Sequence, residues 1–338
     1  MATEGDKNQQ QALYVLGGKS LWTKELEVAL LDGEVDILVH SLKDVPTVLP
    51  KGCELGAILE REDPADSLVV KKGLGYRTIE ELPEGSVVGT SSVRRVAQLK
   101  RKFPKLVFKD VVSYGHFIAG MENFLMRVCI LERKFVRMRA SNAINRFLTI
   151  HRNTRLAKLD APDGEYSALI LAKAGMVRLD WNDRISSDIV PPTLYHAVGQ
   201  AALAAEIRSN DPDTKRIVQP LIHKPTDYRC RAERAMLRVL EGGCSVPVGA
   251  ATELDAEGTL ALTGTVTSLG GDRHVEQQKS KKIETVEDAE ALGEEVAKAL
   301  IESGGREILD EVTKDRASRQ AMGDKVLAAP LASSEGQA

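Results

Sequence analysis

The sequence predicts an α/β fold that gives way to an α+β region in its last third. In the first two-thirds, short apolar runs typical of buried strands alternate with amphipathic helical stretches. That alternation indicates mixed or parallel sheets with right-handed crossovers. After residue 245, alternating apolar and polar positions indicate antiparallel strands. A chain of 338 residues is long enough for two or three domains with cores of their own.

The first candidate site residues follow the first predicted strand. Apolar residues at helical spacing predict a helix over 22–31, and a buried strand is predicted over 35–39. The polar stretch HSLKDVPT, residues 40–47, continues directly from that strand. Because open α/β sheets bind ligands at the carboxyl ends of their strands, Lys43 and Asp44 are candidate site residues. A solvated loop with an incidental ion pair is the alternative for this dipeptide.

A second candidate site lies where a strand meets the start of a helix. Strands are predicted over 67–70 and 87–90, followed by a helix over 93–102 whose hydroxyl residues can cap it. Backbone N–H groups at a helix N-terminus bind anions, and arginine donates two parallel hydrogen bonds to a carboxylate. Two arginines here also oppose the helix dipole, so we expect an anionic ligand. The groups concerned are Thr90, Ser91, Ser92, Arg94 and Arg95.

Beyond residue 150 the chain returns to alternating helices and strands. We predict a helix over 153–159, a buried strand over 166–172 and a helix over 173–181. The small residues of 201–208, after Val198-Gly199-Gln200, predict a further helix.

The stretch LEGGCSVPV, residues 240–248, places a cysteine on a predicted tight loop. A helix over about 227–241 ends at Gly242 and Gly243, because glycine accepts the left-handed conformation of a helix C-terminus. Cys244 follows, and a thiol on such a loop is accessible to a small electrophile. A small buried residue that closes a turn is the alternative.

The remaining third is predicted to be a small antiparallel sheet with a helix. The elements are strands over 246–250, 259–267 and 281–284, a helix over 286–302 that ends at Gly304-Gly305, and a polar, frayed tail over 314–338.

Composition excludes several classes of protein. The net charge is −3 and the four cysteines form no CxxC pair, which argues against a zinc site and a secreted disulfide framework. We find no membrane-length apolar run and no targeting pattern, and expect a cytoplasmic protein without a metal. The basic run over 94–109 makes nucleic-acid binding a rival interpretation, although aromatic content is only 4% and no RNA-binding motif is present.

Four stretches in order carry a family resemblance: HSLKDVPT at 40–47, GTSSVRRVAQL at 89–99, AVGQAALAAEIR at 197–208 and LEGGCSVPV at 240–248. Together they resemble the porphobilinogen deaminase, or hydroxymethylbilane synthase, family. The resemblance implies two periplasmic-binding-protein-like α/β lobes with a cleft between them, and a small α+β C-terminal domain. The implied limits are 1–69 with 200–220 for the first lobe, 70–199 for the second and 221–338 for the C-terminal domain.

The resemblance also implies a chemistry. A transferase of heme biosynthesis would condense four porphobilinogen molecules head to tail, with release of ammonia, on a dipyrromethane primer. It implies a monomer that binds no nucleic acid or membrane. Asp44 would be the catalytic carboxylate and Cys244 would carry the primer by a thioether. Implied cofactor contacts are Lys43, Ser91, Arg94, Arg95, Arg155 and Gly175, and implied substrate contacts are Thr90, Ser92, Gln200 and Arg152.

Two departures from the family pattern stand out. The chain starts at the family's TxGD segment, residues 3–6, so the first strand of the first lobe is expected to be missing. A foreign stretch over about 112–151, which we interpret as translated intron, replaces an Arg-Gly-Asn run, and Arg152 is only a stand-in for the lost arginine. The alternatives are therefore a catalytically impaired or inactive member of the family, or a non-catalytic two-lobed anion-binding protein.

Overall fold

The computed structural model describes residues 20–111, 154–240 and 246–327. Its helices are α1 Ser20–Leu31, α2 Val93–Lys102, α3 Thr154–Asp160, α4 Lys173–Val177, α5 Pro212–Val218, α6 Lys224–Val239, α7 Val286–Leu300 and α8 Arg306–Leu327. Its strands are β1 Leu38–Ser41, β2 Cys53–Ile58, β3 Asp66–Val70, β4 Val87–Gly89, β5 Val107–Lys109, β6 Ala168–Ala172, β7 Ser187–Ile189, β8 Leu203–Arg208, β9 Val248–Leu254, β10 Thr259–Thr267 and β11 His274–Lys282.

The first sheet has the order β1-β8-β2, and both pairings are antiparallel. The second sheet has the order β5-β4-β6-β3-β7. Within it, β4 runs parallel to β5 and β6, whereas β3 runs antiparallel to β6 and β7. The second sheet is therefore mixed, as the alternating pattern predicted.

Two segments carry the chain between these sheets. The first runs from Ile58 at the end of β2 to Asp66 at the start of β3, and the second from Ile189 to Leu203. We call residues 59–65 and 190–202 the two crossing segments. The predicted lobe boundary between 69 and 70 falls within β3, which pairs in the second sheet, so the chain changes sheets a few residues earlier. Arg61, Gly199 and Gln200, whose contacts are described below, lie in these crossing segments.

The third sheet, β11-β10-β9, is antiparallel and packs against α6 and α7. The two helices approach closely at Gly293, where an added Cβ would lie 2.1 Å from the carbonyl oxygen of Ala232. Only glycine fits this position, because a Cβ would clash with backbone that cannot move aside. Buried apolar residues of α6, the sheet and α7 form one core: Met236, Leu262, Val266, Leu292 and Val296. The predicted class, α/β sheets followed by an α+β domain, is confirmed.

The helix predicted over 201–208 is wrong, because Leu203–Arg208 forms the central strand β8. Its first five residues are buried, and it pairs with β1 on one side and β2 on the other. Alanines favour a helix when local propensity decides. Small side chains also suit a strand covered on both faces, and here tertiary pairing overrides the propensity.

Several predicted boundaries also move. The first strand lies over Leu38–Ser41 instead of 35–39, and β11 covers His274–Lys282 instead of 281–284. Gly304, with φ 94°, lies in a kink between two helices, as predicted, but α8 then continues through most of the tail predicted to fray. Within the described residues, every helix is too short or too polar to cross a bilayer.

Candidate active site

Lys43 and Asp44 lie in a 3₁₀ turn, Leu42–Asp44, directly after β1. Both are half-buried, whereas Leu42 is fully buried beneath them. The backbone N–H of Leu42 donates to the carbonyl of Ala202 at 2.9 Å, which fastens the turn to the start of β8. The predicted position, at the carboxyl end of a strand, is confirmed.

The second crossing segment packs directly on this turn. Gly199 has φ +69°, and an added Cβ would lie 3.0 Å from Leu42 Cγ and 3.2 Å from the backbone nitrogen of Lys43. Ala201, two residues on, has φ 71°, a conformation that costs a non-glycine residue about 1–2 kcal/mol. Arg178 donates to the Ala201 carbonyl at 2.8 Å. Left-handed backbone concentrated beside a catalytic candidate is typical of a functional segment.

Arg94 and Arg95 both bind a buried carboxylate, Asp66 at the start of β3. Arg94 Nη2 lies 2.8 Å from Asp66 Oδ2, and Arg95 Nη2 lies 2.7 Å from Asp66 Oδ1. All three side chains are at most 10% exposed. Burial opposes the charged form of Asp66, but the two guanidiniums outweigh it and hold the pKa of this carboxyl well below its usual range.

Gln200 completes this group, which we call the Asp66 cluster: Asp66, Arg94, Arg95 and Gln200. The side-chain nitrogen of Gln200, Nε2, donates to Asp66 Oδ1 at 2.9 Å, and its side-chain oxygen, Oε1, lies 3.4 Å from Arg94 Nη2. Three predicted site residues are thus brought together by a carboxylate that the sequence did not single out. Because Asp66 occupies both guanidiniums, direct ligand contacts by Arg94 and Arg95 stay predictions.

The hydroxyl residues before α2 are placed differently from one another. Thr90 is buried, whereas Ser91 is exposed and donates to the Val111 carbonyl at 2.9 Å. Ser92 occupies the N-cap position, but its side chain accepts no capping hydrogen bond from the described residues, which corrects the predicted cap. The Ser92 hydroxyl therefore does not occupy the first-turn N–H groups of α2. An anion bound at this helix end would need those N–H groups as donors.

Arg155 and Gly175 offer access to a ligand. Arg155 is exposed on the first turn of α3, yet desolvation by surrounding protein, with the like charge of Arg95 second, lowers its pKa to about 10. The guanidinium of Arg155 stays protonated at neutral pH, and it lies close enough to Arg95 for the two positive charges to repel each other. At Gly175 on α4, an added Cβ would meet no described atom within 4 Å, so the space beside it is open.

Some predicted site residues lie outside the described residues. They are Arg152 and Cys244, of which Cys244 is predicted on a loop after Gly242 and Gly243. The N-terminal segment and the 112–151 stretch also lie outside the described residues. Of the other cysteines, Cys129 also lies outside. Burial raises the pKa of Cys53 to about 11 and that of Cys230 to about 12. Neither thiol is an effective nucleophile at neutral pH, since the thiolate is the reactive form.

A second buried cluster joins both crossing segments to α6. Arg61, in the first segment, donates to Glu233 on α6 at 2.7 Å and to the carbonyl of Gln200 at 2.7 Å. The other Glu233 oxygen accepts from the Gly199 N–H at 2.8 Å. Burial opposes the charge of Glu233, but Arg61 and His196 lower its pKa to about 2. We call Arg61, Glu233, His196 and Thr252 the Glu233 cluster; Thr252 donates to Glu233 Oε1 at 3.0 Å.

The two clusters meet at Gln200, whose side chain belongs to one and whose carbonyl binds the other. The Lys43–Asp44 turn lies against the same segment through Gly199. The structure therefore links the Lys43–Asp44 turn of the first sheet to the Asp66 cluster of the second through residues 199–202. Sequence reasoning missed Arg61, Asp66 and Glu233, because the partners in their ion pairs are 28 positions away, as for Asp66 and Arg94, to 172 positions away.

Comparison with known families decides how this arrangement is interpreted. The model described as "porphobilinogen deaminase, dipyromethane cofactor binding domain" matches residues 1–114 and 139–216. The model of the porphobilinogen deaminase C-terminal domain matches residues 228–302. The chain belongs to the porphobilinogen deaminase family.

Curated deaminases match most of the chain. A porphobilinogen deaminase of Synechococcus elongatus is 48% identical over 312 residues, which cover 92% of this chain and 84% of the relative. One of Yarrowia lipolytica is 44% identical, with 92% and 82% covered. A solved arginine-specific periplasmic binding protein of Salmonella typhimurium is 15% identical over 60% of this chain and 71% of its own, with a TM-score of 0.26, too low to support any comparison.

The deaminase domain model leaves residues 115–138 unmatched. This gap lies inside the predicted foreign stretch but is shorter, because the match resumes at 139 instead of 152. The basic run that suggested nucleic acid is partly neutralised: Lys105 lies 2.8 Å from Glu84, and Lys109 pairs with Glu165. Among the described residues, no group of His, Cys, Asp and Glu is arranged to hold a metal ion.

Proposed function

We propose that this chain is a porphobilinogen deaminase that condenses four porphobilinogen molecules and releases ammonia at each step. One observation carries the proposal beyond family membership. The turn bearing Asp44 lies against residues 199–202, which also hold the Asp66 cluster beside Arg155. These contacts support a shared site for the carboxylate and the cations, which a reaction of acidic pyrroles requires.

The described residues suit a dipyrromethane primer. Its acetate and propionate groups need cations and hydrogen-bond donors, and the exposed Arg155 and Ser91 offer both. The open space beside Gly175 lets a planar ring approach the backbone. When bound, dipyrromethane supplies the pyrrole carbon to which the substrate is joined. The proposed contacts at Lys43, Thr90, Ser92, Arg94, Arg95 and Gln200 rest on the family pattern and on their shared position.

Asp44 is proposed as the catalytic residue. Loss of ammonia from porphobilinogen leaves a cation on the substrate, and a fixed carboxylate nearby lowers the energy of that cation. The same carboxylate accepts the pyrrole proton after the new carbon–carbon bond forms. The turn at Leu42–Asp44 is anchored on a fully buried leucine, so the carboxylate does not need to be ordered during the reaction.

Cys244 is proposed as the attachment point of the primer. The motif LEGGCSVPV carries this assignment, and the raised pKa values of Cys53 and Cys230 support it by making those thiols unreactive. We further propose a cytoplasmic monomer without nucleic-acid or membrane partners, on its ordinary composition and net charge of −3. Light scattering after size exclusion tests the monomer.

Intact mass spectrometry with a turnover assay tests the function. The wild-type chain should carry an adduct of two pyrrole units and release ammonia from porphobilinogen. Cys244→Ser should lose the adduct, whereas the matched variant Cys53→Ser should keep it. Asp44→Asn should keep the adduct but lose turnover by about 10²-fold or more. A wild-type protein with neither adduct nor turnover would favour an inactive family member.

A further inference from the structure

Arg234 holds the backbone that directly follows the catalytic candidate. It lies on α6, the helix that leads toward Cys244, and its side chain is buried. Its Nη1 donates to the carbonyl of Val45 at 3.0 Å, and its Nη2 donates to the carbonyl of Pro46 at 2.6 Å. One guanidinium therefore binds the two carbonyls that come next after Asp44.

Local backbone bonds alone do not hold this stretch. The N–H of Val45 closes the 3₁₀ turn on Leu42 at 3.1 Å, but Pro46 has no N–H to donate. Val45 is 2% exposed, so its carbonyl needs a protein partner. A planar guanidinium with two parallel donors fixes both direction and distance, which a lysine ammonium does not.

The neighbouring residue of α6 holds the opposite side of the same turn. Glu233 accepts the N–H of Gly199 at 2.8 Å, and Gly199 packs on Leu42 and Lys43. Consecutive residues of one helix thus hold the backbone before and after the catalytic candidate. Displacement of α6 would move both contacts together.

We propose that Arg234 is a positioning residue that sets the place of the Asp44 carboxylate and couples it to the helix leading to the primer's cysteine. This inference rests on the proposed function, because it assigns Arg234 a role through Asp44. The substrate class is unchanged. The inference adds that α6, through Arg234, keeps the Asp44 carboxylate in position relative to the primer attached to Cys244.

A double-mutant cycle in the full, primer-loaded chain tests the proposal. Arg234→Met should keep the two-pyrrole adduct and lower kcat about 10- to 100-fold, with KM changed less than about twofold, because displacement of about 1 Å costs this much. In an Asp44→Asn background the same substitution should lower the residual rate less than about twofold. Arg234→Lys should restore part of kcat. The matched control, Arg238→Met, changes an arginine of the same helix that binds Glu290 at 3.2 Å, and should keep wild-type kcat.

The outcomes separate this inference from the function. Wild-type kcat in Arg234→Met overturns the positioning role, and so does an equal loss in both backgrounds, which would mean a structural role only. If Arg234→Met does not accumulate as folded protein, Arg234→Lys decides, and full activity in that variant overturns the proposal. Normal turnover by Asp44→Asn overturns the catalytic role of Asp44 and with it the role of Arg234, whereas a wild type with neither adduct nor turnover overturns the proposed function itself.

Discussion

The Asp66 and Glu233 clusters both bury a carboxylate among basic side chains, but they balance charge differently. Asp66 faces two guanidiniums, and Arg155 lies close enough for the charge of Arg95 to lower its pKa. Glu233 forms its ion pair with the guanidinium of Arg61, and Arg229 binds Thr252 of the same cluster at 3.0 Å. His196 beside it is neutral at pH 7, because burial lowers its pKa to about 4.

This difference in charge balance suggests an electrostatic role for the Asp66 cluster and a structural role for the Glu233 cluster. The Asp66 cluster leaves positive charge uncompensated beside an exposed arginine, as a site for polyanionic pyrroles requires. The Glu233 cluster is neutral and joins four parts of the chain, namely the two crossing segments, α6 and β9, so we expect its task to be to hold them in place. The predictions below test this division, beginning with the largest effect.

Removing either carboxylate charge should destabilise the fold strongly, but only one removal should change substrate binding. Asp66→Asn and Glu233→Gln each leave buried guanidiniums without a counter-charge, and we expect each to lower the free energy of unfolding by about 3–5 kcal/mol. Asp66→Asn should also lower KM for porphobilinogen, since the site becomes more positive. Urea unfolding and steady-state kinetics measure the two effects. Equal KM values in both variants would contradict the division.

The Glu233 cluster should make stability depend on pH in a defined window. His196 has a pKa near 6.5 in the unfolded chain and about 4 in the folded one. The unfolded chain therefore binds more protons, and the free energy of unfolding should fall by up to about 3 kcal/mol as pH drops from 6.5 to 4. His196→Gln should flatten this part of the curve in urea unfolding experiments. An unchanged slope in that variant would show that another group titrates there.

The smallest effect on stability should come from the exposed arginine. Arg155→Met should change the free energy of unfolding by no more than about 0.5 kcal/mol. The loss of a charged hydrogen bond to a carboxylate should raise KM for porphobilinogen about tenfold. Arg216→Met, an exposed arginine paired with Asp213 on α5, is the control and should leave KM unchanged. A destabilised Arg155→Met with unchanged KM would assign Arg155 to structure.

Local patterns were enough to predict the candidate site residues, but not their partners. The Lys43–Asp44 turn and the Arg94–Arg95 helix start follow from strand ends and periodicity, which are local properties. Asp66 and Glu233 could not be found in this way. Each is an ordinary acidic residue in the sequence, and only folding brings its arginine partner close. Asp66 and Arg94 are 28 positions apart, and Glu233 and Arg61 are 172 positions apart.

The misread strand β8 has the same cause. Its residues LAAEIR favour a helix locally, and only the strands on both sides make an extended conformation the better choice. The family resemblance identified AVGQAALAAEIR as a motif without showing that it changes from crossing segment to strand. The role of the motif in joining the two clusters became clear only from the contacts of Gly199 and Gln200.

One helix anchors both chain crossings, and this decides where the molecule can bend. Glu233 fastens Arg61 in one crossing and Gly199 in the other. Because both crossing segments are bound to α6 at these residues, neither segment can bend there without breaking its contact with Glu233. Rotation of one α/β sheet against the other would have to be absorbed by the short stretches beyond these contacts, residues 62–65 and 190–195. A deaminase, whose product lengthens at each step, would therefore bend at these stretches while the Lys43–Asp44 turn keeps its contact with Gly199.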